Sequence, residues 1–109
     1  MGIVYSIATL NEQGEPIAQK IGYTSRLLAE RLRQYATHNP NVVLLEWVQV
    51  YRKTKRTLET ALHSNLTALG YEFIRTQGIR TEWIALANKR SISLATLDAC
   101  KGRKVYRAE

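Results

Sequence analysis

Cysteine, proline, histidine, negative charge and long apolar runs are all scarce in this chain, and each shortage removes a class of protein. A single cysteine, Cys100, in 109 residues leaves no internal disulfide and no cysteine-rich zinc site. It reads as a small, half-buried apolar residue. The two histidines, His38 and His63, are too few and too separated for a zinc site, and His38, just before Asn39-Pro40, reads as a surface loop residue. No apolar run reaches the ~20 residues of a membrane span, so an integral membrane protein is excluded. The apolar N-terminus lacks a basic leader and a small-residue cleavage site and alternates like a strand, which implies a cytoplasmic protein with no signal peptide. A P-loop, a Rossmann glycine pattern and a G-x-S-x-G elbow are all missing. Acidic residues number 9 against 16 Lys and Arg, a net charge of +7. Such a surplus points to a polyanionic partner, because neutralising phosphates and releasing their counterions supplies most nonspecific nucleic-acid affinity. It says nothing about catalysis.

What is present fits one α/β (α+β) domain, residues 1–109, since a chain of this length supports a single core. Residues 3 to 9 and 16 to 23 read as strands, and the turn-forming Asn11-Glu12-Gln13-Gly14-Glu15 between them implies an antiparallel hairpin. Thr24 or Ser25 can cap a helix from about Arg26 to Ala36, stopped by Asn39-Pro40. Residues 42 to 51 are the most β-prone stretch and are expected as the central strand of a small, mostly antiparallel sheet of at least three strands flanked by helices. A helix from Thr54 to about Leu69 follows, with Leu58, Leu62, Leu66 and Leu69 at helical spacing and Gly70 as its stop. Tyr71 to Ile74 and Glu82 to Ile84 read as short extended pieces around a loop at Gln77-Gly78. Ser91 to Cys100 reads as a helix ended by Gly102, and the basic tail, about 101–109, as mobile.

Several residues sit awkwardly for plain packing. On the first helix Leu28, Leu32 and Tyr35 form an apolar stripe that Leu27 widens, and Arg31 lies at its edge. Such an arginine either snorkels outward or meets an anion. On the second helix Glu59 lies beside Leu62 and Leu66, with His63 one turn on. A carboxylate half under a core face needs a partner, either a metal or a basic group, unless it pairs with His63 on a solvated edge. Arg52, Lys53, Lys55 and Arg56 cluster one turn before Glu59, as a solvated loop or as the contact for a phosphate backbone. Trp47 and Trp83 read as core residues rather than base-stacking platforms.

The order of these pieces resembles the GIY-YIG nuclease superfamily. Ile3-Val4-Tyr5 is similar to the GIY element and Lys20-Ile21-Gly22 to the YIG element, with Arg31 and Glu59 matching by element and order. The pattern is closest to a phage and bacterial branch with a K-I-G-x-T signature, an L-E-x-x-L-H helix (Leu58 to His63) and an E-W-F element (Glu82-Trp83-Ile84). It covers about residues 2–85. Lys20 stands where the family has its second tyrosine, and no equivalent is found for the asparagine that follows the metal-binding helix in some members. Tyr23 shares a face with Ile21, so it is a poor substitute for that tyrosine. The resemblance implies an endonuclease, a phosphodiester hydrolase acting on nucleic acid, DNA foremost. Tyr5, Lys20, Arg31 and Glu59 are expected to converge on one concave face. Glu59 would bind one Mg²⁺ or Mn²⁺ and Arg31 would clamp the phosphate. Tyr5 would position or deprotonate the water, with its pKa lowered by Lys20 and the metal, and His63 would orient or shuttle. The alternative is an inactive nucleic-acid-binding or protein-interaction module on the same fold. Pairing of two copies as a homodimer, to cut both strands, stays open.

Overall fold

A computed structural model describes residues 2–25, 27–38, 41–51, 55–87 and 90–108, apart from the side chains of His38, Lys55 and Arg56. Strand β1, Gly2–Leu10, runs into a turn held by Asn11, whose Oδ1 accepts from the backbone N–H groups of Gln13 and Glu15, both at 2.9 Å. Strand β2, Pro16–Thr24, returns antiparallel and sets Tyr5 opposite Gly22 and Ile7 opposite Lys20. Helix α1 (Leu28–His38), strand β3 (Val42–Val50), helix α2 (Lys55–Ala68) and strands β4 (Phe73–Thr76), β5 (Ile79–Ala85) and β6 (Val105–Arg107) follow. Among the described residues, the strands form one six-stranded antiparallel sheet in the order β4-β5-β2-β1-β3-β6. The protein is therefore a small α+β fold. Strand β3 is not the central strand expected of its composition: β1 and β2 take the middle, because β5 adds to β2 and only the short β6 lies beyond β3.

The two faces of the sheet do different jobs. Val4, Ile21, Val48 and Ile84 point to one face, where they meet Leu58, Leu62 and Leu66 of α2 together with Ile92, Leu94, Leu97 and Cys100. This face holds the core, and each such leucine contributes on the order of 1.5–3 kcal/mol by leaving water. Helix α2 stops where Gly70 adopts a φ of 88°. There Gly70 N–H bonds the Thr67 carbonyl at 3.0 Å and Tyr71 N–H the Leu66 carbonyl at 3.2 Å, the double bond of a Schellman end. Leu69 lies past the helix and is exposed, so it is not part of the stripe. The opposite face carries Tyr5, Ile7, Lys20 and Trp83, and α1 lies over it through Arg31 and Tyr35. Leu27 precedes α1 and is also exposed, and Thr24 ends β2 rather than α1's first turn. Arg26, Asn39, Pro40 and Thr54 lie outside the described residues, as does the side chain of His38.

Gln77 and Gly78, with φ of 53° and 79°, turn β4 into β5. Positive φ at both central residues is what a tight hairpin needs to match the twist of its strands.

The expected helix over Ser91–Cys100 is absent. Two short 3₁₀ turns, Leu94–Thr96 and Asp98–Cys100, stand there, separated by Leu97 in an extended conformation. The sheet claims the backbone a helix would use. Gln19 accepts from Ile92 N–H at 2.8 Å and donates to its carbonyl at 3.0 Å, while Glu46 Oε1 accepts from Leu94 N–H at 2.9 Å. Cys100 is fully buried rather than half-buried, and burial pushes its thiol pKa up to about 11. The expected mobile tail is likewise corrected: Val105–Arg107 pair with β3, Val105 packs on the core, and Arg107 reaches Glu46 Oε2 at 3.5 Å. Trp47 and Trp83 are both half-buried and stand outside the core cluster. Among the described residues, no helix is long and apolar enough to cross a membrane.

Candidate active site

Tyr5 is placed by the pairing of β1 with β2. A Cβ built on Gly22 would lie 2.6 Å from the Tyr5 hydroxyl oxygen, so only glycine lets the ring lie across the β2 backbone. That oxygen is 3.0 Å from the Tyr35 oxygen, and Arg31 Nε donates to it at 3.5 Å. Lys20 Nζ donates to the Tyr35 oxygen and also pairs with Glu82 at 2.9 Å. The Tyr35 ring is met edge-on by Trp83, with centroids 6.5 Å apart, and the Lys20 ammonium and Arg31 guanidinium lie 4.7 Å and 5.6 Å from its centroid. Tyr35 is thus the hub on which Tyr5, Lys20 and Arg31 meet.

Electrostatics divide the two phenols. Burial, and then the bond to Tyr35, push Tyr5 up to about 12, and Arg31 and Lys20 only partly offset this. Lys20 acts on Tyr5 in the expected direction, but burial outweighs it. At 1% exposure the residue has scarcely any contact with water. Burial also raises Tyr35, but the hydrogen bonds from Lys20 and Tyr5 and the charges of Lys20 and Arg31 outweigh it, so its pKa falls below the ordinary 10.0. The two phenols share a hydrogen bond in which either oxygen can donate, and Tyr35 also accepts from Lys20. Burial pulls the Lys20 ammonium down, but its bonds to Tyr35 and Glu82 leave its pKa raised, so it stays charged.

Glu59 and His63 come from the other side of the sheet, since α2 packs on the Val4 face and α1 over the Tyr5 face. The single concave face expected for the four residues is replaced by an arrangement around an edge. Strand β5 pairs with β2 only from Ala18 to Lys20, and Glu82, just past the last pair, comes from the α2 side to reach Lys20. His63 packs its ring on Phe73 and lies 3.4 Å from Arg80 through Nδ1. Burial and then Arg80 lower its pKa, Glu82 and Glu59 oppose them, and Lys20 also acts on it. Half-buried Glu59 and His63, exposed Glu82 and buried Lys20 therefore share one electrostatic neighbourhood at the margin of β2.

Among the described residues, no group of three or more His, Cys, Asp or Glu gathers as a ligand set. Arg52 and Lys53 and the side chains of Lys55 and Arg56, expected to contact nucleic acid, lie outside the described residues. Sequence reasoning missed Tyr35 by reading it as part of an apolar stripe. Its position one turn after Arg31 was the available signal, because i and i+4 share a helix face.

The profile of the T5orf172 domain family matches residues 2–103, further along the chain than the resemblance read from short motifs. No curated protein and no solved structure matches the chain.

Proposed function

Because the chain belongs to the T5orf172 domain family, which is associated with GIY-YIG-like and nuclease-related proteins, we propose that it is a metal-dependent endonuclease. It hydrolyses phosphodiester bonds in nucleic acid, DNA foremost, at the open margin of β2. The observation that carries this reading is the Tyr5–Tyr35–Lys20–Arg31 cluster: two phenols in hydrogen-bond contact with two cations against them. Mere packing does not call for such a group, whereas an anionic substrate and a base do.

In hydrolysis a water oxygen bonds to phosphorus as the bond to the leaving oxygen breaks. The water gives up a proton and the leaving oxygen gains one. Tyr35 is the base, because its oxygen is stabilised as phenolate by Lys20 and Tyr5. Tyr5 holds that oxygen in place and keeps its own proton. Arg31, half-exposed beside both phenols, offers its planar fork to the nonbridging phosphate oxygens. Glu59 is the residue that would hold Mg²⁺ or Mn²⁺, which when bound supplies positive charge for the phosphate and the leaving oxygen. His63, whose pKa burial and Arg80 lower, would orient Glu59 or carry a proton.

The test is nicking of supercoiled plasmid and cleavage of single-stranded substrates with Mg²⁺ or Mn²⁺. Wild type should cut. Glu59→Ala should bind nucleic acid as well or better and not cut, because it loses the ion but also a repelling charge. Should wild type cut none of these substrates, the fold serves as a binding module instead. Full cleavage by Glu59→Ala would discard the role given to that carboxylate.

A further inference from the structure

The β6 edge carries a pattern that the cluster around Tyr35 does not use. Tyr5, Trp47 and Tyr106 stand opposite one another on β1, β3 and β6, forming a row across the α1 face. Neighbouring strands lie about 4.8 Å apart, so Tyr106 stands roughly 10 Å from Tyr5 along this row. Trp47 and Tyr106 are stacked, with centroids 5.4 Å apart and ring planes 12° from parallel. Tyr106 is nevertheless 41% exposed, and the Lys104 ammonium lies 5.0 Å from its ring centroid. Just beyond the end of β3, Tyr51 is 54% exposed, with the Arg103 guanidinium 5.9 Å from its centroid. The ion pair of Glu46 with Arg107 occupies the opposite face, so its carboxylate does not neutralise Lys104.

We propose that the Trp47–Tyr106 stack is a base-stacking platform for single-stranded nucleic acid, with Lys104 and Arg103 on the strand's phosphates. The platform rests on the nuclease reading, in that the strand it holds runs along the row toward Tyr5. A near-parallel stack whose outer ring, Tyr106, is exposed beside cations matches a nucleotide, whose base has a π-face and whose linkage is anionic. Base faces inside a duplex are covered by their neighbours, so an unpaired or splayed base is the ligand that fits. The chain's +7 charge favours this partner over a basic or neutral one.

The test is metal-free binding of the full chain to a short oligothymidine strand and to a blunt duplex of equal length, at several salt concentrations. Stacking is worth about 1–3 kcal/mol per base, so Tyr106→Ala should weaken single-strand binding by roughly 5- to 150-fold and leave duplex binding unchanged. Tyr106→Trp should restore it. Arg103→Ala and Lys104→Ala should each flatten the single-strand log K against log salt slope by about 0.7. These two variants keep the platform testable if Tyr106→Ala disturbs β6. Unchanged single-strand affinity in Tyr106→Ala, or equal losses on strand and duplex with no rescue by Trp, would overturn the platform. Because no cleavage is read, the two failures separate. A chain that cuts nothing but loses strand binding in Tyr106→Ala sinks only the nuclease reading. A chain that cuts but binds normally in Tyr106→Ala sinks only the platform.

Discussion

The oxygen of Tyr35 is bonded to Lys20 and Tyr5 at once, and the two phenols are driven apart in acidity. Two linkage consequences follow with opposite sign. Tyr35 has a depressed folded pKa, so its contribution to stability is present above the ordinary 10.0 and is lost as pH falls through its folded value. Tyr5 is held up near 12, so its contribution is present below 10.0 and is lost as pH rises toward 12. An ultraviolet phenolate titration should therefore show one early and one late tyrosine. Tyr35→Phe should remove the early one and Tyr5→Phe the late one, with Tyr35 moving up as it loses a donor. Catalytically, Tyr35→Phe should cost about 10²- to 10⁴-fold in cleavage rate, the usual worth of a positioned base. It should also abolish the rise of rate with pH that ionisation of Tyr35 produces. A variant that keeps both rate and profile would remove Tyr35 from the base role.

Helix α2 presents two kinds of residue that mutation should separate. Leu62 is completely buried against β-strand residues of the core, so Leu62→Ala should cost about 2–5 kcal/mol in urea unfolding. Glu59 is the sole acidic residue of α2 and half-buried, and Glu59→Ala should unfold close to wild type. A large loss from Glu59→Ala would make it a structural carboxylate. The leucine stripe was legible because its spacing and its burial have one cause, as was the hairpin at Asn11, where side-chain chemistry decides the turn locally. Strand β6 was not legible, since a three-residue strand is settled by the free edge of β3 and by Glu46 and Val105, which no local pattern reveals. The 3₁₀ turns were missed for a similar reason, because Gln19 and Glu46, distant in sequence, capture the backbone of Ile92 and Leu94. Motif order pointed to Tyr5, Lys20 and Arg31, and these side chains do meet around Tyr35. Tyr35 was lost because spacing cannot tell a ring facing a core from a phenol facing an ammonium.

At the scale of the whole molecule, sixteen cations over nine acids act before any specific contact forms. Such a field would draw a phosphate backbone to the chain and make the encounter depend on salt. The basic residues divide between places with different consequences. Arg103 and Lys104 flank the exposed rings of Tyr51 and Tyr106, where a single strand would lie. In sequence the run from Arg52 to Arg56 stands one turn before Glu59, where it is expected to contact a phosphate backbone; Arg52–Thr54 and the side chains of Lys55 and Arg56 lie outside the described residues. Each phosphate neutralised on a duplex steepens the log K against log salt slope by about 0.9. Replacing Lys53, Lys55 and Arg56 together with Ala should therefore flatten the duplex slope by up to about 2.7, three times that value. Replacing Arg103 and Lys104 should leave the duplex slope alone and flatten the single-strand one. Titrations from low to moderate salt with both ligands separate the two groups. If the triple variant keeps the wild-type duplex slope, the backbone does not pass over the start of α2, and Glu59 loses the phosphate that its ion was to hold.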